Sequence, residues 1–188
     1  QVVWADLGGK LFWARFVATG SVWAITAWFL FVVAYSGRRS WLSGRSLALV
    51  LAPAAVMVGG AWTTHLHGLV WQAPTIAGFD GLALLSPSNG PLYLVTVGYG
   101  YLLMGASLVV LGAIFVRSRS VHRGQAGLLI LAGLIPWVGN VAFYAIGRGR
   151  LPVDVTPLLF TATGLVVAVA LTRYRLLDVL PVSPDVLL

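Results

Sequence analysis

Five stretches of this chain contain no charged residue and are long enough to cross a bilayer: Phe16 to Gly37, Ser46 to Thr64, Pro91 to Val116, Gly124 to Gly147 and Val155 to Thr172. Crossing about 30 Å of hydrocarbon takes roughly 18 to 25 residues of helix. In lipid the backbone must satisfy its own polar groups, so a spanning segment is either a helix or a strand of a closed barrel. Barrel strands would show as alternating segments of about 10 residues, a pattern this sequence lacks. The expected fold class is therefore all-α, a polytopic membrane helix bundle with helices over about 12–37, 46–66, 91–116, 124–147 and 156–178. Composition agrees, because 9% charged residues beside 59% hydrophobic ones is far below the roughly 25% charge of a soluble domain. A chain of this length has no core large enough to hide that much apolar surface from water.

The connections carry the charge. A net charge of +7 would suggest nucleic acid for a soluble protein, but here the basic residues sit in short clusters between apolar runs. They read as membrane topology, and no nucleic-acid partner is expected. One set of connections holds Arg38, Arg39, Arg45, Arg117, Arg119, Arg123, Arg173 and Arg175; the other holds Lys10, Arg15, Arg148 and Arg150. Eight against four places the first set in the cytoplasm of a multi-pass plasma-membrane protein, with the N-terminal end outside and the C-terminal end inside. The polar, Gly- and Pro-rich stretch from His65 to Asn89 is expected to be an external loop, with a short segment on the membrane surface. "SPSNGP" (86–91) reads as a turn that delivers Pro91 to a first helical position, and "DVTP" (154–157) offers Thr156 as N-cap and Pro157 behind it. The chain opens on Gln1 without a signal peptide, as expected for a piece of a longer protein.

Association between helices in lipid relies on close contact and buried polar bonds. Gly164, Ala168 and Thr172 recur every fourth residue on the last helix, and Ala14/Ala18 and Gly20/Ala24 do so on the first; all are expected at packing faces. Pro53 removes the bond to the Leu49 carbonyl and Pro136 the bond to the Ala132 carbonyl, so both helices are expected to bend. Asn140, one turn beyond Pro136, needs a partner and should face the bundle interior, as interhelical glue or as part of a ligand or hydration site.

Catalytic constellations are missing. With no Cys and no Glu, disulfides, thiolate chemistry and Cys-based metal sites are excluded. His65 and His67 point to nearly opposite sides of a helix and would not share a metal ion. Retinal needs a lysine inside a helix, and the only lysine, Lys10, lies outside the first charge-free run. Between the ends of the spans there is no Asp, Lys or Arg, which argues against a proton-coupled transporter. No catalytic residue, metal or cofactor is expected. The segment "TTHLHGLVW" (63–71) is the most polar sequence at any helix end; its histidines are expected to hydrogen-bond at the interface with Thr63, Thr64 and Trp71, with a sensing pocket as the alternative. The exit of the last helix, "RYRLLDVLPV" (173–182), places Arg173, Arg175 and Tyr174 at the interface, continues through Asp178 and stops at Pro181.

These marks together resemble the N-terminal seven-transmembrane sensor region of prokaryotic histidine kinases. The resemblance rests on "FLFVVAYSGRRSWL" (29–42), "LAPAAVMVGGAWTTHLHGLVW" (51–71), "RGQAGLLILAGLIPWVGNVAFY" (123–144), "VDVTPLLFTATG" (153–164) and "RYRLLDVLPVSPDVLL" (173–188), in that order. It implies that the bundle over 1–180 is the last five of seven helices, with 181–188 beginning a linker to a cytoplasmic output domain. It further implies a homodimeric parent kinase and a response-regulator partner, or in some relatives a diguanylate cyclase output. The family's polar marks fall on His65, Pro136, Asn140, Asp154 and Pro157. The expected mechanism starts from a stimulus near Trp62, His65, Asn140 and Tyr144. It shifts packing around the bends at Pro53 and Pro136, and the last helix passes the displacement through Arg173, Arg175, Asp178 and Pro181. The competing reading is a small-solute or lipid-handling membrane protein without an output domain, and a third is a purely structural subunit.

Overall fold

The computed structural model describes residues 6–79, 82–117, 120–143, 145 and 156–173. In chain order it contains α1 (Leu7–Tyr35), a 3-10 turn (Arg39–Leu42), α2 (Gly44–Trp62), the one-turn α3 (Thr64–His67), strands β1 (Trp71–Phe79) and β2 (Leu82–Asn89), α4 (Pro91–Arg117), α5 (Ser120–Ala142) and α6 (Thr156–Arg173). Four helices, α1, α2, α4 and α5 from Arg123, are long and apolar enough to cross a membrane. In α6 the apolar stretch counted among the described residues is the shorter Leu158–Val169. Leu49, Val109 and Val116 are 77%, 73% and 78% exposed, which is how helices look when their solvent is hydrocarbon.

The chain divides into two compact units, one of Gln1–Ala34 with Arg38–Ala106 and one of Tyr35–Gly37 with Ser107–Leu188. In the first unit, Ala14, Val70 and Trp71 form one buried cluster against Leu11, Ala18, Leu85, Leu92 and Tyr93. Phe29, Val33 and Leu103 form another against Ile25, Leu30, Leu42, Val50, Tyr99 and Ala106. Along α1 the buried positions Lys10, Ala14, Val22, Thr26, Phe29 and Val33 recur at helical spacing, so one face packs and the rest meets lipid. Lys10, expected outside the first apolar run, lies in the opening turn of α1 and is fully buried.

Two expectations are corrected between His65 and Asn89. Instead of a loop with a turn at 86–91, the chain forms an antiparallel hairpin, paired from Trp71↔Asn89 to Phe79↔Leu82. Only Pro91 keeps its expected place, opening α4. The hairpin was masked in the sequence by Pro74 and Pro87, which cannot donate to a ladder. A two-stranded ribbon tolerates them because each strand is an edge. The register shifts between Gln72 and Thr75, where Ala73 takes φ 39° beside Pro74, a β-bulge that removes the proline from the ladder. The second helix also stops earlier than 66. Thr63 leaves helical geometry at ψ 6°, and α3 follows as a separate turn that Gly68 closes at φ 62°, a left-handed conformation that costs glycine nothing.

Candidate functional site

At the hairpin end of the first unit, several short-range bonds meet. Thr64 is buried between α3 and β1; its Oγ1 accepts from the Trp71 amide at 3.2 Å and donates to the Trp71 carbonyl at 3.5 Å. The start of α4 is tied to the same corner, because the Gly90 amide donates to the Val70 carbonyl and the Leu92 amide to the Leu69 carbonyl, each at 2.9 Å. Gly90 is required there, since a Cβ would overlap the Leu69 carbonyl. His67 completes the corner. Its Nδ1 accepts from the Leu69 amide at 2.9 Å, and its Nε2 lies 3.0 Å from Thr63 Oγ1.

Beside this corner stands an aromatic cluster on α1 and the end of α2. Trp62 donates from Nε1 to Thr19 Oγ1 at 3.0 Å, and its ring meets Phe12 and Phe16 edge-on, with centroids 6.1 and 5.8 Å away. Trp13 packs on Phe12 and Phe16. These rings are exposed, an arrangement suited to the interfacial layer, where an aromatic body and a polar tip are both satisfied.

In the second unit, the carbonyl that Pro136 deprives of its usual amide is answered from α6. Proline withholds the amide that would have bonded the Ala132 carbonyl, and Thr163 of α6 donates its hydroxyl to that carbonyl at 3.0 Å while sharing it with its own Leu159 carbonyl at 3.1 Å. Membrane helices tolerate proline when a neighbour satisfies the freed group in this way. Ala132, Gly133 and Pro136 are buried, and Gly139 leaves room for Leu159 of α6, whose side chain a Cβ would strike. In the first unit the Tyr99 hydroxyl donates at 2.6 Å to the Val50 carbonyl of α2, one residue after the Leu49 carbonyl whose amide partner Pro53 removes. At the other end of the second unit, Tyr35 donates to Oε1 of the fully buried Gln125 at 3.2 Å, and Arg123 lies over the Phe115 ring at 4.7 Å.

The residues singled out from sequence fall into three groups. Trp62 and Pro53 belong to the first unit with His65, which is exposed on α3. Pro136 and the half-buried Asn140 belong to the second, and Arg173 ends α6. Tyr144, Asp154, Arg175, Asp178 and Pro181 lie outside the described residues, as do the side chains of Pro157 and Arg173. The stripe of Gly164, Ala168 and Thr172 is exposed in this chain, and α6 meets α5 through Thr163 and Leu159 on a different face. The expected hydrogen bonding around Thr63, Thr64 and Trp71 is present; what sequence reasoning missed is Thr163, Tyr99 and the particular bonds of His67. The signal for the last was present, because Thr63 and His67 are one helical turn apart and the Gly after His67 ends the helix.

Apolar helices of spanning length, two of them carrying an internal proline, define an integral membrane helix bundle. The chain belongs to the family described as the N-terminal 7TM region of histidine kinase, whose profile matches residues 1–181. No curated protein and no solved structure matches it. Membership in a membrane-spanning region of histidine kinases points to a sensor input domain in a lipid bilayer.

Proposed function

We propose that this chain is the signal-input module of a two-component histidine kinase, that it supplies the last five of seven membrane helices including α6, and that its C-terminal end is cytoplasmic. The observation that carries the reading is the bond from Thr163 of α6 to the carbonyl that Pro136 frees in α5. That acceptor is available to α6 because α5 is interrupted, so the hold on α6 depends on how α5 bends. A stimulus that favours one bend over another by a few kcal/mol is enough to redistribute two packings. The helix whose hold changes is the one that leads through Arg173 toward the output domain, a dimeric kinase that phosphorylates a response regulator. The arginine clusters at Arg38–Arg45 and Arg117–Arg123 support the orientation.

The chain has no native cysteine, so single cysteines report without background. Ser88→Cys on the hairpin is expected to react with a membrane-impermeant maleimide in intact cells, and Ser40→Cys in the 3-10 turn only after permeabilisation. Thr172→Cys, on an exposed position of α6, is expected to crosslink between copies with a yield that Pro136→Ala alters. Reversed labelling, or a crosslink yield indifferent to Pro136, refutes the reading.

A further inference from the structure

We propose that His67 is a proton-operated latch that holds the junction of α2, the hairpin and α4 closed while its ring is neutral. The argument starts from the Thr63 hydroxyl, which has one hydrogen and donates it to the Gly59 carbonyl at 2.8 Å. Toward His67 Nε2, 3.0 Å away, the Thr63 oxygen can therefore only accept, so Nε2 carries a proton. On the other side of the ring, Nδ1 receives the Leu69 amide hydrogen at 2.9 Å, so Nδ1 carries none. Both nitrogens are thus assigned by their partners, and together they specify the neutral Nε2–H imidazole. Adding a proton at Nδ1 sets a donor against a donor, and the bond to Leu69 cannot survive it.

What that bond holds is more than one residue. Leu69 is the acceptor for the Leu92 amide, and Val70, next in the chain, is the acceptor for Gly90 and part of the buried cluster with Trp71 and Ala14. Gly68, between His67 and Leu69, is in the left-handed conformation that brings the Leu69 amide back to the ring. The latch therefore sits on the strand of chain that fastens the start of α4 and the start of β1. The ring is exposed and reachable by solvent protons. The groups facing it are the Thr63 hydroxyl from the end of α2 and the Leu69 amide from the loop. Among the described residues no charged side chain contacts it, and His65 leaves the same short helix in another direction. The latch is a local property that stands apart from the signal-input reading; on that reading, acidity on the hairpin side becomes a stimulus.

The test is nuclear magnetic resonance on the isotope-labelled full chain in lipid nanodiscs. Ring nitrogens report the tautomer, and the Leu69 amide reports hydrogen-exchange protection, taken as a protection factor so that the intrinsic pH dependence of exchange cancels. Between about pH 8 and about pH 5, protection at Leu69 is expected to fall about tenfold, the factor that one ordinary hydrogen bond supplies. His67→Asn keeps an acceptor for the amide two residues on, as in an Asx turn, and cannot titrate; its protection is expected to stay high at both ends. His67→Ala is expected to be low at both, and His65→Asn to leave the wild-type pH dependence intact. An Nδ1–H tautomer at high pH, a protection factor that ignores pH, or a pH response that persists in His67→Asn overturns the proposal.

Discussion

Replacing Thr163 with valine removes one hydroxyl and keeps the branched shape, which isolates the bridge at the proline bend. The lost bond is 3.0 Å long, and its acceptor, the carbonyl of a fully buried alanine, has no amide partner in its own helix because residue 136 is proline. An unsatisfied buried group costs about 1–3 kcal/mol, while interhelical polar bonds measured in membranes average nearer ~0.6 and reach about 1.7 kcal/mol. The value expected for Thr163→Val is about 1 kcal/mol, roughly a fivefold change in the folding constant. The decisive comparison is the double-mutant cycle with Pro136→Ala. Alanine restores an amide for the Ala132 carbonyl, so Thr163→Val in that background should cost almost nothing, and the coupling energy should equal the cost in the wild type. Thr163→Ser, which keeps the donor, should retain the bridge. Reversible unfolding in bicelles by steric trapping supplies all four corners of the cycle. Equal costs of Thr163→Val with and without Pro136 would show that the hydroxyl does not serve the freed carbonyl, and the mechanism built on it would fall.

The other mutational outcomes follow from the same contacts. Tyr99→Phe deletes the 2.6 Å bond to the Val50 carbonyl and should destabilise the first unit by about 1 kcal/mol; an unchanged unfolding midpoint would show that this bond between α4 and α2 contributes nothing. Gly90→Ala drives a Cβ into backbone atoms of Leu69 and Gly68 that cannot swing aside, so it should cost about 3 kcal/mol, the upper end for overpacking, read as a lower Tm. Gly98→Ala, inside α4, meets no atom within 4 Å and should instead raise stability by up to about 1 kcal/mol.

Sequence and structure divide the information here along a physical line. Threading through a bilayer is set by local transfer energy summed over about 20 residues, so α1, α2, α4 and α5 were legible as apolar runs. Proline removes an amide from its own helix, so the two carbonyls that lose this partner, those of Leu49 and Ala132, were legible too. Loop chemistry was legible less well: Pro74 and Pro87 hid a hairpin whose pairing depends on partners across the turn and on the cluster around Trp71.

What only the tertiary structure decided is who meets whom. That the Ala132 carbonyl is answered by Thr163, that Tyr99 reaches Val50, and that the evident small-residue stripe on α6 faces away from α5 all depend on the rotation of one helix against another. Every residue of a lipid-solvated helix is compatible with hydrophobic surroundings, so the pattern of apolar residues does not specify that rotation. Likewise the sequence reading singled out His65 in "TTHLH", and only the placement of the Thr63 hydroxyl and the Leu69 amide brings His67 forward as the ring with a partner on each nitrogen. Transfer energy is a property of segments, whereas hydrogen-bond geometry is a property of pairs, and pairs distant in sequence exist only once the chain has folded.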